Sequence, residues 1–160
     1  MLTTTWYIDF EGYQYNNRYI VKEITILNRD DTLQCFNYFT KNPSDLNKLP
    51  NNLTIDYPYK IHKLSWNFGD WHFLDAIADI LLKVKCGDTV YVKGTEKMKF
   101  LKRWLPQIEE ITWITIPFKK LRNCFSEVCE IGHGLNCSRR KVFELYYADV
   151  LCHKACNMRY

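Results

Sequence analysis

The sequence of 160 residues has no long apolar run, no internal repeat and no low-complexity segment. No stretch approaches the ~20 apolar residues that a membrane-spanning helix needs, so no membrane span is predicted. The first ten residues, MLTTTWYIDF, have neither the basic segment nor the apolar core of a signal peptide. These absences predict a cytoplasmic or nuclear protein without a membrane partner.

A strong excess of charge is also missing. The net charge is +4 at pH 7, which permits an acidic partner such as nucleic acid but does not require one. The hydrophobic content of 47% and the aromatic content of 16% are typical of a packed chain rather than a disordered one. Length and composition together predict a single globular domain over residues 1–160.

The pattern of apolar residues predicts the element order β-β-β-α-β-α-β-α. Three aromatic and β-branched runs predict an antiparallel meander, and two further strands alternate with helical periods. A meander followed by alternating elements predicts an α/β fold with a mixed five-stranded sheet and helices on its faces. Gly87 is predicted to end the first helix and Thr95 to cap the second. The predicted strands are 4–10, 18–27, 33–39, 88–94 and 109–117, and the predicted helices are 69–87, 95–106 and 138–157.

Two acids, Asp9 and Glu11 in YIDFEG, lie two residues apart on the first predicted strand. Side chains alternate along a strand, so both carboxylates project from one face. Two carboxylates on one face can hold divalent cations for phosphoryl transfer, although such pairs are also common on solvent-facing strands. The pair resembles the first motif of the DEDD exonucleases, whose ribonuclease H-like fold has this element order. That resemblance implies a metal-dependent nuclease site that uses Mg²⁺ or Mn²⁺.

The same resemblance implies two further acids, one on the helix after the fourth strand and one on the last helix. The corresponding positions hold Lys97 or Met98, and Lys141. A lysine repels the cation that a carboxylate would bind. The site is therefore predicted to be catalytically weak or inactive. The alternative is an active nuclease that uses Asp9 and Glu11 with unorthodox partners.

The stretch CFSEVCEIGHGLNC places thiols and an imidazole before the last predicted helix. Cys129, His133 and Cys137 recur every four residues, and glycines between them would let one loop wrap one ion. Cysteine and histidine are ligands that tetrahedral zinc prefers. The pattern predicts a zinc site whose fourth ligand is Cys124, another residue or water, and the alternative is a set of buried thiols with a surface histidine. A second possible cluster comprises Cys152, His153 and Cys156.

This site resembles the zinc centre in the MAEL domain of the Maelstrom family, an exonuclease-like fold whose catalytic acids are mostly gone. There a glutamate in the second strand joins Cys, His and Cys ligands, and the last cysteine opens the final helix. VKEITIL in this chain is similar to that strand, so the resemblance implies structural zinc bound by Glu23, Cys129, His133 and Cys137. The ligand spacings differ from those of Maelstrom, so the resemblance implies a divergent relative rather than a true member. The resemblance also implies single-stranded RNA binding in RNA silencing, or in a transposon or virus that opposes it.

Basic stretches before and within the predicted helices supply candidate contacts to a phosphate backbone. Exposed aromatic rings could stack on bases, and the candidates are Tyr13, Tyr15, Trp66 and Trp71. Charge runs also form ordinary solvated helix faces, so a protein-interaction module without nucleic-acid binding is the third hypothesis. The predicted nucleic-acid-binding residues are Lys93, Lys97, Lys99, Arg139, Arg140 and Lys141.

Overall fold

Five strands form one sheet in the computed structural model, which describes residues 2–15, 18–43, 66–114 and 137–152. The strands are β1 (Thr5–Tyr15), β2 (Arg18–Asn28), β3 (Cys35–Phe39), β4 (Thr89–Val92) and β5 (Ile108–Glu110). The helices are α1 (Phe73–Lys83), α2 (Thr95–Leu101) and α3 (Ser138–Tyr146), and a π-helical segment, Tyr147–Cys152, continues α3. The predicted order of elements is confirmed for the described residues.

The sheet is mixed, as predicted, with the spatial order β3-β2-β1-β4-β5. Strand β2 is antiparallel to both β1 and β3, whereas β1, β4 and β5 run parallel to one another. The carboxyl ends of these three parallel strands therefore meet at one edge of the sheet. Open α/β sheets commonly bind ligands beyond such an edge.

The two faces of the sheet pack against different helices. Trp6, Ile8 and Phe10 of β1 lie in a core shared with α1 and α2. Tyr7 projects from the opposite face into a second core, which α3 covers. Because side chains alternate along the strand, the acids at positions 9 and 11 project from the same face as Tyr7. No helix in the described part of the chain is long and apolar enough to cross a membrane.

Helix α1 is shorter than its apolar pattern predicted. The segment before it pairs with the end of β3, where Thr40 and Trp71 form a β-bridge, so the helix begins only at Phe73. At its other end the backbone of Val84 is extended and its side chain is buried. The prediction that Gly87 ends the helix is wrong, because the last helical residue is Lys83 and Val84, in extended backbone, packs in the core shared with α1 and α2.

The N-terminus of α2 also differs from the prediction. Gly94 occupies the N-cap position, and Thr95 is the first helical residue. The Thr95 hydroxyl instead donates a hydrogen bond to Glu110 Oε1 at 2.8 Å, so it connects α2 to β5. Other ends are also shorter than predicted: α2 ends at Leu101 rather than at Pro106, β5 ends at Glu110, and the α-helical part of α3 ends at Tyr146.

A β-bulge interrupts the pairing of β1 with β2 beside the candidate acids. Glu11 pairs with Glu23 and Gly12 pairs with Val21, so Lys22 is the extra residue on β2. A Cβ atom at position 12 would lie 2.1 Å from a backbone carbonyl oxygen of β2, so the bulge requires glycine there. Bulges often re-aim side chains next to functional sites, and this one immediately follows Glu11.

Candidate functional site

Three acids share the face of the sheet beneath α3. In the register of β1 and β2, Glu11 lies opposite Glu23, and Asp9 lies opposite Thr25. Directly opposed residues project from the same face, which α3 covers. Asp9 and Glu23 are fully buried. A buried carboxylate is unfavourable unless it is paired, so the partners of these acids determine the chemistry of the site.

Two lysines contact the Asp9–Glu11 pair. Lys97 Nζ, from α2, lies 2.8 Å from Asp9 Oδ1 and 3.6 Å from Glu11 Oε1. Lys141 Nζ, from the first turn of α3, donates a hydrogen bond to Glu11 Oε1. The neighbouring Met98 packs against the hydrophobic core instead. The two lysines named by the exonuclease resemblance are thus the ones that face the two acids, and we call these four residues the lysine–carboxylate cluster.

Burial and ion pairing act in opposite directions on Asp9 and Lys97 of the lysine–carboxylate cluster. Burial raises the pKa of Asp9 to about 6, against the opposing effect of Lys97 and Lys141. Burial by itself would lower the pKa of Lys97, but Asp9 and Glu11 outweigh it and hold that pKa above its usual value. The second oxygen of Asp9, Oδ2, is buried and has no hydrogen-bond partner among the described residues. Two ammonium groups therefore face the two carboxylates.

Two of the four predicted zinc ligands, Glu23 and Cys137, lie side by side where β2 meets α3. Cys137 immediately precedes the helix and is fully buried. Its Sγ lies 3.4 Å from Glu23 Oε2. Atoms bound to one tetrahedral zinc ion at about 2.0 and 2.3 Å are about 3.5 Å apart. The observed separation therefore fits two ligands of the same ion.

Glu23 also has hydrogen-bond partners that involve no metal. The backbone N–H of Ser138 donates to its Oε1 at 2.7 Å, and the side-chain amide of Asn37 donates to its Oε2 at 2.9 Å. A carboxylate at a helix N-terminus is favourable because it meets unpaired N–H groups and the positive end of the helix dipole. Glu23 thus caps α3 whether or not it binds zinc.

The remaining predicted zinc ligands, Cys129 and His133, lie outside the described residues, as does Cys124. Within the described ranges there is no group of three or more metal-binding side chains. The possible second cluster is likewise outside this description, apart from the backbone of Cys152 at the end of the π-helical segment. The zinc site thus remains a prediction, and Glu23 and Cys137 are the two ligands whose positions are known.

The predicted nucleic-acid-binding cations differ in how strongly other groups of the protein hold their side chains. Besides Lys97 and Lys141 in the lysine–carboxylate cluster, Lys93 Nζ donates to the carbonyl oxygen of Ile114 at 2.8 Å. On the outer side of α2, Lys99 is exposed and lies 3.8 Å from Glu96 in a loose ion pair. Exposed ion pairs of this kind hold a side chain weakly. Lys99 is therefore more available to an anion than the two cluster lysines are.

The two arginines on α3 contact their own helix. Arg140 Nε lies 3.3 Å from Glu144 Oε1, four residues further along. The guanidinium carbon of Arg139 lies 5.8 Å from the ring centroid of Phe143. Both arginines are partly buried. Exposed cations lie instead on and after α2: Lys99, Lys102 and Arg103.

The predicted base-stacking aromatics are mostly in the core. Tyr13 and Trp66 are buried and contact each other with ring centroids 5.5 Å apart, so their predicted exposure is wrong. Their apolar rings fill the space between β1 and the chain that leads to α1. Trp71 is 37% exposed, and the side chain of Tyr15 lies outside the described part of the structure.

The sequence pattern missed one exposed ring, Trp113. It is 50% exposed, more than any other aromatic side chain that the structure describes. The sequence placed it inside a strand over 109–117, whereas β5 ends at Glu110 and Trp113 follows at the carboxyl edge of the sheet. A shorter strand assignment would have left this tryptophan on a connecting segment and marked it as a candidate.

Comparisons with known proteins add no relative of this chain. Neither the comparison with protein-family models nor the comparison with curated proteins finds a match. Membership of the exonuclease-like or Maelstrom families therefore stays a prediction from motifs.

Proposed function

We propose that this chain is a non-catalytic, ribonuclease H-like exonuclease domain that binds single-stranded RNA and is stabilised by zinc. One observation supports the loss of catalysis above all others: Lys97 and Lys141 contact the Asp9 and Glu11 carboxylates. A divalent cation at these oxygens would lie next to two ammonium groups, and the repulsion is strong in a partly buried site. The resemblance to Maelstrom adds a role in RNA silencing, or in a mobile element or virus that opposes it.

Charge balance explains how the four side chains of the lysine–carboxylate cluster can lie together without a metal. In a two-metal nuclease, several carboxylates offset the charge of two divalent cations. In this chain two carboxylates remain, and two ammonium groups offset them without a metal. The lysines thus substitute both for the missing acids and for the cations. The mixed sheet, with β1 at its centre and the acids at its carboxyl edge, supports a descent from a nuclease fold.

The proposed RNA contact lies along α2 and the carboxyl edge of the parallel strands. Lys99, Lys102 and Arg103 are exposed there, and the guanidinium of Arg103 lies 5.0 Å from the ring centroid of Trp104. Such cations bind phosphates through charge, without reading the base sequence. The proposal therefore predicts RNA binding that weakens steeply as salt concentration rises.

The zinc ion has a structural role in this proposal. Glu23 and Cys137 would hold it together with Cys129 and His133, and a site closed by four protein ligands leaves no position for a reacting water. The ion would fasten the start of α3 to β2. The 3.4 Å separation of the Cys137 and Glu23 ligand atoms supports this assignment.

The experiment that tests the function uses the purified full chain and end-labelled single-stranded RNA, with Mn²⁺ or with chelator. We expect a shifted but uncut RNA in both conditions, with Asp9→Asn behaving like the parent chain. Manganese-dependent cleavage that disappears in Asp9→Asn would overturn the proposal in favour of an active nuclease. Neither a shift nor cleavage at low salt would overturn both nucleic-acid functions.

A second candidate function, protein interaction, is favoured by the outer face of α1. Leu74 is 62% exposed and Leu82 is 70% exposed, and Ala78 between them is exposed as well. Positions four residues apart share one side of a helix, so these residues form an apolar stripe, which also includes Leu81. The apolar period of residues 69–87 predicts that Leu74 and Leu81 lie on the buried side of the helix, and this prediction is wrong because both are exposed.

The occupant that best fits the α1 stripe is the same stripe of a second copy. Helix α1 has an acidic first turn and a basic last turn, so two antiparallel copies would place Asp75 near the partner's Lys83 and align the helix dipoles favourably. The small Ala78 at the centre would let the helices approach closely. Four side chains bury far less than the ~800 Å² per partner of a standard interface, so the expected dimer is weak.

Sedimentation equilibrium tests this second function. We expect a concentration-dependent dimer that Leu82→Glu abolishes and that Leu33→Glu, at an exposed leucine outside α1, leaves intact. A chain that stays monomeric at all accessible concentrations, or a dimer insensitive to Leu82→Glu, would contradict a self-association role for α1.

A further inference from the structure

The structure assigns a base-stacking role to Trp113, which follows β5 at the carboxyl edge of the sheet. This inference rests on the proposed RNA binding and names the residue that would hold a base. A half-exposed indole offers a π-face to any nucleobase, and stacking of this kind is tolerant of sequence. Two features support this role: contacts hold the ring in one orientation, and a cation lies near it.

The indole of Trp113 is fixed in orientation although half of it faces solvent. Its Nε1–H donates a hydrogen bond to Asp149 Oδ1 at 2.9 Å. Its ring contacts Tyr91 edge to face, with centroids 4.9 Å apart and planes at 87°. A side chain held in this way loses little conformational entropy when a ligand stacks on it. Trp113 is therefore preorganised as a platform.

The support beneath Trp113 is itself anchored. Asp149 accepts a hydrogen bond from the buried Tyr7 hydroxyl, and its Oδ2 lies 3.6 Å from Arg29 Nη1. These contacts join β1, β2 and the π-helical segment to the indole. Burial, followed by the hydrogen bond to Asp149, raises the pKa of Tyr7, so its hydroxyl stays a donor throughout the physiological range. The ring orientation thus depends on the folded core rather than on a surface loop.

One cation, Lys93, lies next to the segment that carries the platform. Tyr91, which contacts the Trp113 ring, is paired with Tyr7 in the parallel register of β4 and β1. Lys93 follows β4, and its Nζ donates a hydrogen bond to the carbonyl oxygen of Ile114, next to Trp113 in sequence, at 2.8 Å. A single strand whose base stacks on Trp113 would have a phosphate near Lys93.

The test compares labelled oligouridylate with the same oligomer that lacks bases, by fluorescence anisotropy at low salt. Stacking on one aromatic ring contributes enough that Trp113→Leu should weaken oligouridylate binding about 5- to 150-fold, with little change for the abasic oligomer. Trp113→Phe keeps a π-face and should retain most of the affinity. Phe68→Leu is the matched control, because Phe68 is also exposed but contacts Phe39 at the end of β3; it should bind like the parent chain.

The outcomes separate this inference from the proposed function. If the parent chain binds no RNA, the proposed function itself fails. If it binds RNA and Trp113→Leu binds equally well, RNA binding stands and the role of Trp113 is overturned. Equal weakening toward the normal and the abasic oligomer would also overturn it, because a structural defect does not depend on bases. If Trp113→Leu does not fold, a Trp113→Phe variant with more than tenfold weaker binding to oligouridylate would contradict the stacking role.

Discussion

At the scale of single residues, the candidate site is defined by which lysine meets which acid. The exonuclease resemblance left the choice between Lys97 and Met98 open, and the geometry of α2 directs Lys97 to Asp9. Position in the sequence could identify these residues as candidates. It could not show that Asp9 is fully buried, because its burial comes from α3, which is more than 120 residues away in the chain.

The first prediction concerns the pairing of Lys97 with Asp9. Breaking a buried ion pair leaves a carboxylate uncompensated, so Lys97→Met should lower the free energy of unfolding by about 3 kcal/mol. The double variant Asp9→Asn with Lys97→Met should recover most of that loss. Urea unfolding of the single and double variants measures the coupling.

The control for the first prediction is Lys99→Met, two residues away on the exposed side of α2. Its ion pair with Glu96 is solvent-exposed, so the free energy of unfolding should change by less than about 0.5 kcal/mol. A Lys97→Met variant as stable as the parent chain would contradict the assignment of Lys97 as the counter-ion of Asp9.

The second prediction concerns pH. The pKa of Asp9 is about 6 in the folded protein and about 3.9 in an unfolded chain. The folded state therefore binds this proton more tightly, and between pH 4 and pH 6 the group makes the protein less stable as pH rises. We expect the stability of the parent chain relative to Asp9→Asn to fall across that range and to level off above pH 7.

Urea unfolding of both chains at a series of pH values measures the second prediction. A parent chain that instead gains stability relative to Asp9→Asn between pH 4 and pH 6 would show that the lysines outweigh burial and depress the pKa of Asp9. Oppositely charged neighbours and burial act in opposite directions on a carboxylate, so the sign of the slope identifies the larger effect.

At the scale of secondary-structure elements, periodicity predicted the kinds of element well and their ends poorly. The antiparallel meander and the alternation of helices with strands follow from local patterns of apolar residues. The ends of α1 follow from tertiary contacts, since Thr40 pairs with Trp71 at one end and Val84 is buried at the other. The bulge at Gly12 was also absent from the prediction, because it is defined by the pairing of two strands.

The third prediction concerns this bulge. A Cβ atom at position 12 would lie 2.1 Å from the carbonyl oxygen of Ile20, and backbone atoms cannot give way cheaply. Gly12→Ala should lower the free energy of unfolding by about 3 kcal/mol. It should also disturb the contact between Glu11 and Lys141, because Glu11 immediately precedes the bulge. Thermal unfolding and NMR chemical shifts of the Lys141 side chain measure the two effects.

The matched control is Gly87→Ala. Gly87 has a positive φ of 95°, but an added Cβ atom would come no closer than 3.8 Å to a side-chain atom of Thr3. That variant measures the cost of backbone conformation without a clash, about 1–2 kcal/mol. If Gly12→Ala lowered the free energy of unfolding no more than Gly87→Ala does, β1 and β2 would be able to separate at the bulge. That result would contradict the requirement for glycine at position 12.

At the scale of the whole molecule, α3 closes the structure over the sheet face that holds the acids. Its first residues contact β2 through Glu23, and Ser138 Oγ lies 2.6 Å from Thr25 Oγ1. Apolar side chains of α3 fill the second core on the same face. Fastening at the start of α3 should therefore affect the stability of the whole domain, and the proposed zinc ion would act at that point.

The fourth prediction concerns zinc. The purified chain should contain one zinc ion, measured by elemental analysis, and a strong chelator should lower its melting temperature because the ion binds only the folded state. Glu23→Gln keeps Oε1 as an acceptor for the Ser138 N–H but loses the charged ligand. It should lower zinc affinity by about tenfold or more, while a metal-free role of Glu23 as a cap would leave zinc content unchanged.

Cys137→Ser should lower zinc content as Glu23→Gln does, and Cys86→Ser serves as its matched control. Cys86 is an exposed free cysteine in the turn after α1, far in sequence from the proposed ligands. Equal zinc content in the parent chain, Glu23→Gln and Cys137→Ser would contradict the proposed site. A chain that contains no zinc and is insensitive to chelator would contradict the cofactor itself.

The sequence by itself determined the order and kind of the elements, the presence of two acids on one strand face, and lysines at the positions where the exonuclease resemblance implies acids. These are local properties, set by the alternation of a strand, the period of a helix and the charge of a side chain. Only the tertiary structure decided that Lys97 and Lys141 neutralise Asp9 and Glu11, that Glu23 lies beside Cys137, and that Trp113 is exposed. Those facts depend on strand register and on α3 packing across the sheet, and contacts between distant parts of a chain have no local signature.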